Sequence, residues 1–214
     1  MIFVGEQGLA QIWNMSALIH STTVEHGARV DYATMSRDNT LTLTASHESG
    51  DVNVWRTSSG ELHLTLVSIG EAPYTTSIRL KAATFAEHGR ALLLAVDDGC
   101  GGMVSCFNAE SGESMDEFSP GAEDLVDYAF SCRLDSAAFT QDGSLVAFAA
   151  RGGEVGVWSV TDHSCVVAFR SGYPDGHRSY VWSVFFSPDN RLLATTSEDG
   201  TAKLWEVDTG LCMQ

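Results

Sequence analysis

Basic residues are scarce in this sequence. Its 214 residues include 12 lysines and arginines against 28 acids, which gives a formal net charge of −16. Binding to nucleic acid or to an anionic membrane needs a basic surface, so this charge argues against both kinds of partner. Long hydrophobic runs are also missing, since ALLLAV at 91–96 is far shorter than the roughly 20 residues of a membrane-spanning helix. The N-terminal MIFVGEQGLAQIW has no basic segment and does not resemble a secretory signal.

Motifs for metals and cofactors are missing as well. The five cysteines are an odd number without a CxxC pair, which favours reduced thiols in a cytoplasmic or nuclear protein. The seven histidines do not stand at metal-ligand spacing from cysteines or acids. Neither GxxxxGK[ST] nor a strand-linked GxGxxG occurs, so no phosphate-binding loop is visible. We therefore predict no metal site and no cofactor.

The sequence is rich in internal repetition. Five segments consist of a turn, an alternating run that ends in an aromatic residue, and a second polar turn. Upstream of the last four, a short strand pattern meets a turn such as Asp-Asn or Asp-Gly, and an apolar strand pattern follows. Period-2 alternation interrupted by such turns is typical of β-hairpins, so the chain is predicted to be all-β. The repeated aromatic residues are Trp13, Trp55, Phe107, Trp158 and Trp205.

With these repeats the sequence resembles the WD-repeat family, most clearly in residues 176–210, which contain an initial GH, an SPD turn, SEDGT and LWEV. The resemblance implies a β-propeller with about four to five blades visible. The first unit lacks a pattern for its innermost strand and the last stops within its fourth, so we expect an incomplete ring, completed by further blades or another chain. The predicted single domain covers 1–214, with a partial blade 1–24 and blades at about 25–66, 67–118, 119–170 and 171–214.

The last repeat allows two interpretations of one group of polar residues. His177, Ser197 and Asp199 contain the residue types of a hydrolase triad. The resemblance instead implies a structural tetrad of His177, Ser197, Asp199 and Trp205, joined by hydrogen bonds. Ser197 lies in a plain strand-to-turn sequence, without the strained turn that presents a nucleophilic serine, so we favour the tetrad and predict no catalytic residue.

A second group recurs at the start of the first strand of each blade. Alignment of the blades places Arg29, Arg79, Arg133 and Tyr180 at one position, and Trp182 stands two residues after Tyr180. Arg151 and Glu198 directly precede the turn after the second strand of their blades. The resemblance implies that these residues and the first group surround the channel mouth on the face that binds peptides. The alternative is that each arginine only pairs with the acid two residues further on.

Taken together, the resemblance predicts a non-catalytic scaffold that binds a protein or peptide partner and supports the assembly of a complex. Arginines in so acidic a chain suit an acidic or phosphorylated partner. The alternatives are a regulatory WD-repeat domain of a larger multidomain protein and a propeller enzyme.

Overall fold

The computed structural model describes residues 2–4, 8–14, 19–46, 50–66, 79–86, 90–97, 102–119, 134–169 and 175–213. Within these ranges the chain forms eighteen β-strands and no helix, which confirms the predicted all-β class. The strands are β1 (Ile2–Val4), β2 (Leu9–Asn14), β3 (Ile19–Glu25), β4 (Tyr32–Met35), β5 (Leu41–Ala45), β6 (Val52–Arg56), β7 (Leu62–Leu66), β8 (Arg79–Ala86), β9 (Ala91–Asp97), β10 (Gly102–Asn108), β11 (Ser114–Phe118), β12 (Leu134–Phe139), β13 (Leu145–Ala150), β14 (Val155–Ser159), β15 (Cys165–Phe169), β16 (Val181–Phe186), β17 (Leu192–Ser197) and β18 (Ala202–Glu206).

These strands form five antiparallel sheets, called the first to the fifth sheet in chain order. The second (β4–β7), third (β8–β11) and fourth (β12–β15) sheets have four strands, and the first (β1–β3) and fifth (β16–β18) have three described strands. In every sheet each strand pairs with the next one along the chain. Small up-and-down sheets of this kind are the blades of a β-propeller, so the predicted fold with four to five visible blades is confirmed.

A recurrent turn joins the first and second strands in the second, fourth and fifth sheets. Asn39, Gly143 and Asn190 hold its left-handed position, with φ of 60°, 75° and 62°. Asn and Gly tolerate this conformation better than other residues, which explains the Asp-Asn and Asp-Gly pairs of the sequence. The preceding carboxylate accepts bonds from within the turn, as Asp38 does from the Ser36 hydroxyl at 2.7 Å.

Apolar residues on both faces of the sheets form the core. One buried cluster joins the second and third sheets, and others join the third to the fourth and the fourth to the fifth. The innermost strands β4, β8, β12 and β16 contact one another in series. Among the described residues no strand of the first sheet pairs with the fifth sheet, and no closed ring is formed. The expected completion by further blades or another chain stays a prediction, as do the domain boundaries.

Candidate functional site

The fifth sheet contains a buried line of hydrogen bonds. The His177 side chain is only 1% exposed. Its Nδ1 lies 3.1 Å from Oδ2 of Asp199, and its Nε2 lies 2.7 Å from the hydroxyl of Thr195. Trp205 Nε1 donates to the same hydroxyl at 2.9 Å. A buried imidazole needs a partner for each ring nitrogen, and Asp199 and Thr195 supply them.

The hydroxyl between the imidazole and the indole therefore belongs to Thr195, and the assignment of Ser197 to this place is corrected. Ser197 donates to the backbone carbonyl of Ser179 at 3.1 Å and accepts the N–H of Asp199 at 3.1 Å. The reason is the strand register. Trp205 pairs with Leu193, and Thr195 is the next residue of β17 on the same face. Ser197 stands one further pleat along, where it shapes the following turn.

Asp199 is held as a carboxylate by the turn around it. Burial opposes its ionisation, but hydrogen bonds outweigh this effect and hold the pKa of Asp199 well below its usual range. The donors are the hydroxyl and N–H of Thr201, the N–H of Arg178 and the His177 ring. A hydrolase needs an accessible nucleophile beside its base, whereas this histidine is buried against Thr195 and Asp199. The geometry is that of a structural element.

The second sheet has a related but shorter line. His26 Nδ1 lies 2.8 Å from the hydroxyl of Thr44, to which Trp55 Nε1 donates at 2.7 Å. Asn53 lies 3.1 Å from the same ring nitrogen. Burial lowers the pKa of His26, although Asp51 and a second nearby acid oppose this effect. Ser49, which aligns with Asp199 in the sequence, lies outside the described residues.

The third and fourth sheets fill the same place with apolar side chains. Leu94 and Phe148 stand where Thr44 and Thr195 stand, two residues after the partner of the repeated aromatic residue. Leu94 and Phe148 are completely buried. In the fourth sheet the Phe148 ring meets the Trp158 indole edge to face, with centroids 5.9 Å apart. Packing replaces hydrogen bonding in these two sheets.

The candidate binding residues of the fourth and fifth sheets lie together. The Arg151 guanidinium lies over the Tyr180 ring, 5.5 Å from its centroid. Tyr180 meets Trp182 edge to face at 6.3 Å, and the two residues are 40% and 55% exposed. The Glu198 N–H donates to the Tyr180 carbonyl at 2.8 Å, and the Ser179 hydroxyl donates to the Glu198 carboxylate at 2.6 Å. We call Arg151, Tyr180, Trp182 and Glu198 the rim cluster.

β-Bulges recur near the start of the first strand in three sheets. The register shifts beside Lys81 in the third sheet, Asp135 in the fourth and Trp182 in the fifth. A bulge leaves one residue unpaired and turns its side chain away from the regular face. These three positions are equivalent in the sequence alignment. The same backbone irregularity therefore recurs at the corresponding place in three sheets.

Ion pairs occupy part of the rim. Arg29 Nε lies 3.1 Å from Oδ1 of Asp31, which is the pairing of the alternative interpretation. Arg151 Nε lies 3.9 Å from Oδ1 of Asp135, an acid of the same sheet but not its sequence neighbour. The side chains of Arg29 and Arg151 are 63% and 49% exposed, so both guanidinium groups still reach solvent.

Two predicted rim residues cannot be placed in this cluster. Arg79 is the first residue of β8, but its side chain and all of Arg133 lie outside the described part of the chain. Their role stays a prediction.

In the described ranges there is no group of three or more His, Cys, Asp or Glu side chains arranged to hold a metal ion. No helix there is long and apolar enough to cross a membrane.

Known proteins are similar to part of this chain. The model of the family "WD domain, G-beta repeat" matches residues 164–206. Eukaryotic translation initiation factor 3 subunit I of Aspergillus niger is 35% identical over 81 residues, which are 38% of this chain and 23% of that protein. The same subunit of Pyricularia oryzae is 34% identical over 80 residues, 37% and 22% of the two chains.

The matched stretch thus spans less than a quarter of these relatives. The family match falls on the sheet that carries the complete hydrogen-bonded line, and the other four sheets repeat its up-and-down strand order. Residues 164–206 therefore form a WD repeat, and the sheets of the described residues have the architecture of WD-repeat propeller blades.

Proposed function

We propose that this protein is a non-catalytic interaction scaffold that binds a protein or peptide partner through the rim cluster. The observation that carries the proposal is the exposure of an aromatic pair beside a half-exposed guanidinium. Tyr180 and Trp182 are 40% and 55% exposed although they lie on a well-packed sheet. Tyrosine, tryptophan and arginine are the residues that most often dominate the energy of protein interfaces.

The partner segment in this proposal is acidic or phosphorylated. Arg151 offers a planar donor that is backed by the Tyr180 ring, and its pair with Asp135 at 3.9 Å is long for an ion pair. A carboxylate or phosphate of the partner can bind this fork in a bidentate manner. Arg29, Arg79 and Arg133 would extend the basic surface around the rim, while Trp182 would supply apolar contact area.

The relatives suggest the setting in which such a scaffold acts. Their name describes one subunit of a translation initiation factor, which is a multi-protein assembly. We propose that this protein also works inside a cytoplasmic complex. Nothing in the names of the relatives supports the nuclear alternative.

Affinity purification with the double variant Arg151→Ala/Trp182→Ala tests the proposal. We expect at least about tenfold weaker recovery of the partners bound by wild type, because the two substitutions remove the cation and the largest exposed ring of the cluster. Arg191→Ala is the matched control, since this exposed arginine lies at the opposite end of the fifth sheet. Unchanged recovery with the double variant, at wild-type stability, would contradict binding at the rim cluster.

A further inference from the structure

The segment that leads into β16 lies outside the strands. Residues 177–180 precede β16, and the strand ladder begins where Val181 pairs with Ser197. Tyr180 ends this segment, and Trp182 follows inside the strand, at the bulge where the register shifts. The positions of these two aromatic side chains therefore depend on how the segment is held.

Asp199 holds the first half of this segment. Its Oδ2 lies 3.1 Å from the His177 ring and accepts the N–H of Arg178 at 2.9 Å. Its Oδ1 accepts the N–H and the hydroxyl of Thr201 at 2.9 and 2.6 Å. Because one carboxylate oxygen is fixed by its own turn, the other is held toward the segment. Asp199 thus links the buried line of the fifth sheet to the residues that precede β16.

Ser197 and Glu198 hold the second half of the segment. The Ser197 hydroxyl donates to the Ser179 carbonyl at 3.1 Å, and Ser197 is only 8% exposed. The N–H of Glu198 donates to the Tyr180 carbonyl at 2.8 Å, and its carboxylate accepts the Ser179 hydroxyl at 2.6 Å. Two neighbouring carbonyls of the segment are therefore bonded to two neighbouring residues of the turn, and the backbone that presents Tyr180 is fixed.

We propose that Ser197 and Asp199, which are not members of the rim cluster, position its aromatic side chains for partner binding; this inference rests on the proposed function. A binding site needs its contact residues held to within about 0.5 Å by the residues behind them. The Tyr180 ring lies against the Arg151 guanidinium and beside the Trp182 indole. A displaced Tyr180 would therefore move both the cation and the largest exposed ring of the cluster. The buried line acts on binding as well as on stability.

The second sheet offers a comparison within the same chain. It has the shorter line that contains Thr44, but its first two strands pair in a regular register over Tyr32–Met35. At the position of the aromatic pair it has Arg29 and Asp31, which form an ion pair with each other. Removing the Thr44 hydroxyl should therefore destabilise the second sheet and leave the aromatic pair of the fifth sheet in place. Thr44→Val thus separates a general loss of stability from a loss of positioning.

Fluorine NMR of the whole chain labelled with fluorotryptophan tests the positioning without a partner. Each of the five tryptophans contributes a signal, and Trp182→Phe identifies the signal of Trp182. Ser197→Ala should shift or broaden this signal, while the other tryptophan signals report that the variant is folded. Ser197→Thr keeps the hydroxyl and should restore the wild-type signal. Ser187→Ala is the matched control, because the Ser187 hydroxyl accepts the Leu192 N–H in the turn at the other end of β17. Ser187→Ala and Thr44→Val should leave the Trp182 signal unchanged.

Recovery of partners by affinity purification, normalised to folded protein, supplies the functional measurement. Ser197→Ala should recover partners about three- to tenfold less well than wild type, as expected for the loss of one hydrogen bond. Ser197→Thr, Ser187→Ala and Thr44→Val should match wild type. An unmoved Trp182 signal in Ser197→Ala, or wild-type recovery where Arg151→Ala/Trp182→Ala loses it, would overturn the positioning role. If Arg151→Ala/Trp182→Ala recovers partners as wild type does, the proposed function is wrong, and the fluorine signal still decides whether Ser197 positions Trp182.

Discussion

The fourth and fifth sheets fill the same buried position with different kinds of side chain. Their second strands place Phe148 and Thr195 at the same position, and neither side chain reaches solvent. Thr195 links His177 to Trp205 by hydrogen bonds, while Phe148 packs its ring on Trp158. A hydrogen-bonded line fixes the register of short, similar strands, whereas an aromatic contact buries more apolar surface. The comparison shows that a blade position conserves its burial while the kind of interaction changes.

The largest loss of stability should come from removing the apolar side chain at this position in the fourth sheet. Phe148→Ala removes a completely buried ring from the cluster between the third and fourth sheets. Substitutions of this kind leave a cavity and cost about 3–5 kcal/mol of the unfolding free energy. Urea denaturation followed by tryptophan fluorescence measures the loss. A loss smaller than that of Thr195→Val would contradict the comparison.

Removing the hydroxyl at this position in the fifth sheet should cause a smaller loss of stability. Thr195→Val keeps the shape of the side chain but leaves the His177 Nε2 and the Trp205 N–H without their shared partner. We expect a loss of about 1–3 kcal/mol in the same denaturation experiment. Thr196→Val is the control, because the neighbouring side chain is exposed on the opposite face. Equal losses for the two variants would refute the role of Thr195.

The smallest effect concerns the acid that ends this line, and it depends on pH. The folded protein lowers the pKa of Asp199, so the ionised group stabilises the fold above the unfolded value of about 4. This stabilisation is lost as the pH falls below about 4. The difference in unfolding free energy between wild type and Asp199→Asn should therefore shrink on acidification. A difference that is constant from neutral to acid pH would show that hydrogen bonding to Asp199 is unimportant.

The fold could be predicted from the sequence because alternation, turn residues and repeated aromatic residues all report on local backbone geometry. Thr195 was missed because Ser197 lies on the same face of the strand, and the strand pattern alone does not show which of two hydroxyls reaches the indole. A usable signal was present. The histidine and threonine are 18 residues apart in both hydrogen-bonded sheets, at His26 and Thr44 and at His177 and Thr195.

The rim was predictable only in part. The alignment marks the start of the first strand in each blade, but it does not show that a bulge occurs there in three of the sheets. The ion pairs depend on how strand ends and turns meet. Arg29 pairs with the acid two residues on, whereas Arg151 reaches Asp135 of β12 from the turn after β13. Side-chain pairing across a sheet is a property of tertiary structure that a single repeat does not encode.

The salt dependence of partner affinity tests the proposed function most directly. Binding of a purified partner would be measured between about 50 and 300 mM salt for wild type and for Arg79→Ala/Arg133→Ala. The control is Arg37→Ala/Arg191→Ala, which makes the same change of charge in turns at the opposite end of the sheets. An acidic or phosphorylated partner at the rim predicts weaker binding and a flatter salt dependence for the first double variant, and wild-type behaviour for the control. Identical affinity and salt dependence for all three proteins would contradict the account.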